Sequence, residues 1–411
     1  MDKVAVIGGG ISGLTTAQLL KERYDVTVFE REETPGGLIR CKKIDGSLFH
    51  LCGGHVFNSK REDILIWFWR FFNREEEFSK ADRNSVVFME DGKKIPYPIE
   101  NHAYMLNKEE QQNFITNLLQ IASNKATSPT NFEEFLEGRF GKTLYELYFK
   151  PYNEKVWRRD LKKVPLTWLE GKLPMPTVEE MIYNNMNHIE EKAFVHATFW
   201  YEKQNGSQFI ADRLASDLNI HYNSNIQSIE ITSNGILVNS EQFEKVIFCG
   251  NIKQLPSLLH GIDMKDYTKS IEDLEYHGTT AVFCEIDKNP YSWIYQPSRQ
   301  HESHRIICTG NFAESNNADG KMTATIEFTD YISEEDIKKE LKKIPLNPKY
   351  ITHNYNEYTY PIQDKNTQSM ISNLKKYLSQ YNVYFTGRFA DWEYYNMDVA
   401  IGAAMNICKT I

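Results

Sequence analysis

Residues Gly8-Gly9-Gly10-Ile11-Ser12-Gly13 follow a short β-branched run, Lys3 to Ile7, and lead into helical spacing from Leu14 to Arg23. A second alternating run, Asp25 to Glu30, comes next and ends in an acid 17 positions after Gly13. Strand, glycine turn, helix, strand and terminal acid together constrain this chain more than any other feature, because they predict a βαβ unit that binds a dinucleotide. Gly8 permits the tight turn, Gly10 lets a pyrophosphate approach the backbone, and Gly13 lets helix and strand pack closely. Ile11 and Ser12 lie at the helix N-terminus, where free N–H groups and the positive end of the dipole face an anion. Glu30 is placed to accept the ribose hydroxyls.

The remaining chain surrounds that unit. At 411 residues it has room for two or three domains. Helical, charged sequence runs from Lys108 to about Glu191, strands return over 217–249, and alternating runs such as TTAVFCEI, RIICTG and MTATIEFT fill 276–331. A last strand, VYFTG, precedes a helix predicted from Met397 to Lys409. The order predicts an α/β fold, a Rossmann-type core built from discontinuous segments with two inserted lobes.

Charge and composition exclude several functions. A net charge of −9 argues against a nucleic-acid binder. No apolar stretch reaches the ~18–20 residues of a membrane span. The run Ile64 to Phe72 is broken by Arg70 and predicts a buried amphipathic helix. Six cysteines show no CxxC or paired spacing, so we expect reduced thiols and a cytoplasmic protein. Met1-Asp2-Lys3 runs directly into the first strand, so no secretory leader is expected. No metal cluster, Ser-His-Asp order or paired-carboxylate motif stands out, and a bound cofactor is expected to carry the chemistry.

Glu30-Arg31 followed by Gly36-Gly37-Leu38 resembles the flavoprotein pattern of the amine-oxidase superfamily. That resemblance implies FAD, with Gly36 and Gly37 beside its diphosphate and ribityl chain. The tail fits the same pattern: Gly387-Arg388 ends a strand, and Asn396-Met397-Asp398 opens a helix toward the flavin. No flavin-linking Cys or His motif is present, so the FAD is expected to be non-covalent.

More specific segments resemble UDP-galactopyranose mutases. GGHVFNS (53–59), FKPYNEKVW (149–157), YPI (360–362) and GRFADWEYYNMDVAI (387–401) match that family's motifs in order. The resemblance implies three domains: FAD-binding (1–85, 196–255, 365–411), helical (100–195) and an antiparallel β-sheet domain (86–99, 256–364). It further implies a nucleotide-sugar substrate, pyranose–furanose isomerisation through reduced flavin N5, and a place in polysaccharide biosynthesis. Arg388 and His55 would be the catalytic residues, with His55 also against the flavin and Ile226 lining the cofactor site. Tyr152, Trp157, Tyr201, Arg305, Tyr360 and Tyr394 would contact substrate. NAD(P)H is the candidate external reductant, and a homo-oligomer is left open.

Two diphosphate-binding arginines of the mutases are missing. Gly171-Lys172-Leu173-Pro174-Met175-Pro176 and Tyr276-His277-Gly278 stand in their places, and proline or neutral imidazole does not replace a two-pronged guanidinium. Arg305 and Lys172 are the candidates to compensate. Residues 199–215 also resemble protoporphyrinogen-oxidase-like proteins, which keeps open an FAD-dependent oxidoreductase removing hydride from a small substrate.

Overall fold

Lys3–Ile7 and Asp25–Phe29 are buried along their length after the first residue, as central strands of a covered parallel sheet must be. The computed structural model describes residues 1–123, 128–166, 175–189, 198–318 and 320–411. In it, five parallel strands line up in the order Val383–Phe385, Lys245–Phe248, Lys3–Ile7, Asp25–Phe29 and Asn219–His221. The start, middle and end of the chain thus share one sheet. The helices Ile11–Leu20 and Met397–Cys408 pack on one face through Ala17, Leu20 and Cys408 against Val4, Val6 and Ile247. A small sheet, containing Ile229–Thr232 and Gly235–Val238, and the helix Thr367–Ser379 cover the other face around Phe248 and Leu374.

The first helix begins three residues before the apolar spacing predicts, because the glycine turn itself forms its first turn. Gly13 is what makes this possible: a Cβ there would lie 1.8 Å from the Gly8 carbonyl oxygen.

A seven-stranded sheet forms the second lobe, in the order Lys349–Ile362, Glu275–Glu285, Thr323–Thr329, Arg305–Ile307, Trp293–Tyr295, Ser85–Phe88 and Lys94–Pro96. It is antiparallel except where Trp293–Tyr295 runs parallel to Ser85–Phe88. That strand arrives from far earlier in the chain, so no hairpin turn dictates its direction. The 14-residue strand Lys349–Ile362 is not among the strands the sequence predicts. It is an edge strand with a partly exposed polar and aromatic face, and so lacks the apolar run that marks an interior strand.

Helices Lys108–Ser123, Phe132–Leu144, Lys150–Trp157 and Val178–Asn187 make the third lobe, packed around Phe114, Leu118, Leu136 and Phe140. Ile64, Trp67 and Phe68 are buried on the helix Glu62–Phe68. Among the described residues no helix is long and apolar enough to cross a membrane. All six cysteines are free thiols.

Candidate functional site

The glycine turn builds a cradle. Gly10 and Gly36 form a backbone bridge, and a Cβ on Gly10 would meet only the Gly37 Cα, at 3.8 Å. Two glycine turns therefore face each other with no side chain between them, over a helix N-terminus that no side chain caps. Glu30 is buried; its Oε2 accepts from Gly9 N at 2.6 Å and its Oε1 from Glu32 N at 2.9 Å. Ser224 N donates to Glu30 O, which brings the loop leading to Ile226 alongside. Gly387 closes the far side, its Cα facing Ser12 so closely that a Cβ would sit 3.2 Å from the Ser12 Oγ. Leu38 packs on the core beside this sheet, and Met397 and Asp398 are buried in the first turn of the last helix after Asn396. Burial raises the Asp398 carboxyl above its ordinary range. This ligand-shaped backbone fits a dinucleotide diphosphate. The Arg31 side chain, beside Glu30 in the chain, is 65 % exposed and paired with Glu32.

Next to the cradle lies a chain of aromatic and charged groups. The Arg388 guanidinium donates from Nε and Nη2 to Thr359 O (2.9 and 2.6 Å) and from Nη1 to Tyr395 O (2.9 Å). It lies 4.0 Å from the centre of the Tyr394 ring and 5.5 Å from that of Tyr360. Those two rings are nearly parallel, 5.5 Å apart. Arg305 Nη2 donates to the Tyr360 hydroxyl at 2.9 Å, while its Nε donates to Glu327 Oε2 at 2.7 Å. Tyr152 stacks on Tyr148 at 5.5 Å and meets Tyr295 edge-on at 5.6 Å. Burial raises the Tyr152 hydroxyl, so it stays a neutral donor. His55 sits in the loop that follows Gly53-Gly54, and its buried Nε2 has no hydrogen-bond partner among the described residues. Burial, then the Arg388 charge, pushes that imidazole down to about 4, leaving it neutral at physiological pH.

Other expected residues are placed differently. Tyr201 is 2 % exposed, packed on Phe312, and its hydroxyl is 2.8 Å from His50 Nε2 and 3.0 Å from Asn316 Nδ2. The expectation that it contacts substrate is replaced by a packing role, since neither ring nor hydroxyl is open to a ligand. The Trp157 ring is buried beside Phe132, and its carbonyl accepts from His277 Nε2 at 2.8 Å. His277 Nδ1 faces Asp330 Oδ2 at 2.9 Å, so this side chain clamps the sheet to the helical lobe. Lys172 lies outside the described residues. Glu327 and His304 were missed; a lone acid inside the buried strand TATIEFT was the available signal.

Residues 6–74 match the NAD(P)-binding Rossmann-like domain family. Over 98 % of its length the chain is 24 % identical to a probable UDP-galactopyranose mutase of Klebsiella pneumoniae, covering 92 % of that protein. It is 23 % identical to the dTDP-fucopyranose mutase of Escherichia coli, over the whole chain and 98 % of the relative. The solved structure of reduced UDP-galactopyranose mutase superimposes with a TM-score of 0.89 at 21 % identity, over 100 % of this chain and 93 % of that one. The chain has the UDP-galactopyranose mutase fold. The superposition runs the whole length of this chain.

Proposed function

We propose that this protein is an FAD-dependent nucleotide-sugar mutase. The observation that carries the reading is the continuous cluster Arg388–Tyr394–Tyr360–Arg305, seated beside a side-chain-free glycine cradle in a chain similar over its whole length to two sugar-nucleotide mutases. Gly8, Gly10, Gly13, Glu30, Gly36, Gly37, Ile226, Gly387 and the amides from Met397 would hold FAD non-covalently, with NAD(P)H as the external reductant. When bound and reduced, the flavin supplies the nucleophile for the sugar's anomeric carbon. The chain's own residues bind and orient. Tyr152 offers a ring face to the nucleobase, and the hydroxyls of Tyr360 and Tyr394 with the free donors of Arg388 and Arg305 stabilise the departing diphosphate. His55 Nε2, without a partner among the described residues, directs a hydrogen bond at the cofactor or the sugar. The stacked rings of Tyr360 and Tyr394 would shield the anomeric centre from water.

The test is to incubate the purified yellow protein with UDP-galactopyranose or dTDP-fucopyranose, with and without dithionite, and to separate sugar products by chromatography. Furanose formed only under reduction supports the proposal. Oxygen-dependent turnover with peroxide release and no ring isomer would overturn it in favour of an oxidase.

A further inference from the structure

His304 is 1 % exposed, and neither of its ring nitrogens lies within ordinary hydrogen-bond distance of a partner among the described residues. Leaving a buried polar group this way is unfavourable, so the position invites a use. Its Nε2 stands 3.6 Å from Glu327 Oε2, just beyond hydrogen-bond distance. The same oxygen takes both Nε and Nη2 of Arg305. One carboxylate oxygen thus occupies two prongs of the arginine best placed to make up for the missing ones, while a partnerless imidazole waits beside it.

We propose that His304 is a positioning residue for an anionic ligand: taking up a proton from solvent as the ligand binds, it bonds to Glu327 and frees a prong of Arg305 for the ligand's diphosphate. The inference rests on the nucleotide-sugar reading above. The charges around His304 are few. Arg305 adjoins it, Glu327 faces it from the strand Thr323–Thr329, and Lys155 approaches from the helix Lys150–Trp157, its Nζ held by Gln296 O and Ser303 O at 2.9 Å. Tyr152, on the same helix, presents its ring edge at 6.3 Å, and His301 joins through Ser303 Oγ at 3.4 Å. Burial chiefly, then Arg305 and Lys155, hold the imidazole below its ordinary range; Glu327 works the other way. In the free protein His304 is therefore neutral. A diphosphate on Arg305 adds negative charge and lends Arg305 an anionic partner besides Glu327, so the balance tips toward the imidazolium. The swap also keeps Glu327 paired throughout, which a buried carboxylate requires.

A ligand that raises the folded group's pKa binds together with a proton, and its affinity then falls as pH rises, by up to about tenfold per pH unit. The oxidised holoprotein is titrated calorimetrically with UDP-galactose, whose diphosphate has no proton to exchange between about pH 6 and 8. Buffers of low and high protonation heat give the number of protons taken up. The expected result is uptake approaching one proton per ligand, with affinity weakening as pH rises. His304→Gln, which keeps a donor for Glu327, should abolish the uptake and flatten the profile. Binding without proton uptake overturns the inference and needs no variant to show it. Uptake that persists undiminished in His304→Gln overturns it too. Absence of binding at every pH removes the nucleotide-sugar reading itself, whereas binding without uptake removes only the role of His304.

Discussion

Replacing Glu327 with glutamine isolates the charge beneath the site, because the amide keeps the shape and one acceptor. Glu327 is 1 % exposed and lies directly across the strand pair from Arg305. Burial alone would raise its carboxyl; the Arg305 charge overrides that and holds it at about 2 against an ordinary 4.5. A lowering of that size corresponds to about 3 kcal/mol of stabilisation at neutral pH. Breaking a buried ion pair from one side costs about 3–5 kcal/mol, which agrees. Urea unfolding at neutral pH, followed by tryptophan fluorescence, should therefore show Glu327→Gln less stable by about 3 kcal/mol. The sign with pH is fixed. A depressed carboxyl contributes fully above its unfolded value of about 4.5 and loses that contribution as pH falls toward about 2, so the gap between parent and variant should shrink by about half at pH 3. A loss below about 1 kcal/mol, or a gap that does not narrow in acid, would refute the picture of a stabilising buried pair.

Three further substitutions probe the site. Gly13→Ala, whose Cβ would collide with the Gly8 carbonyl oxygen, should purify without FAD or fail to accumulate; full yellow colour would show that the turn can relax. Arg388→Lys should retain FAD and lose most turnover, because three backbone-anchored prongs are replaced by a point charge; turnover equal to the parent, measured by furanose formation, would remove Arg388 from the reaction. Tyr201→Phe should lower stability by about 1–2 kcal/mol in urea while leaving UDP-galactose affinity unchanged, and a large affinity loss would restore the substrate contact that the packing of Tyr201 argues against.

The dinucleotide unit was legible because its determinants are local. Gly8, Gly10 and Gly13 act within one turn, and Glu30 ends the strand beside it, so spacing along the chain nearly equals placement in space. The central strands were legible too, since burial on both faces leaves β-branched runs such as KVAVI. The cluster of Arg388, Tyr394 and Tyr360 was reached through motif resemblance, not through pattern: these residues carry no periodicity that marks them. The edge strand Lys349–Ile362 escaped notice for a related reason, as half of its surface is not apolar.

The glycine cradle, the discontinuous Rossmann core and the two lobes inserted in it are set by short-range turn chemistry and hydrophobic patterning, and so can be read along the chain. Tertiary structure alone decided which polar residues meet. Arg305 and Glu327 become an ion pair only because strands Arg305–Ile307 and Thr323–Thr329 pair in one register. His277 became a clamp on Asp330 and Trp157, and Tyr201 a buried anchor for His50, through contacts more than 50 residues apart in sequence. A side chain's role at such places depends on what the fold brings opposite it, and that partner is written nowhere near it in the chain.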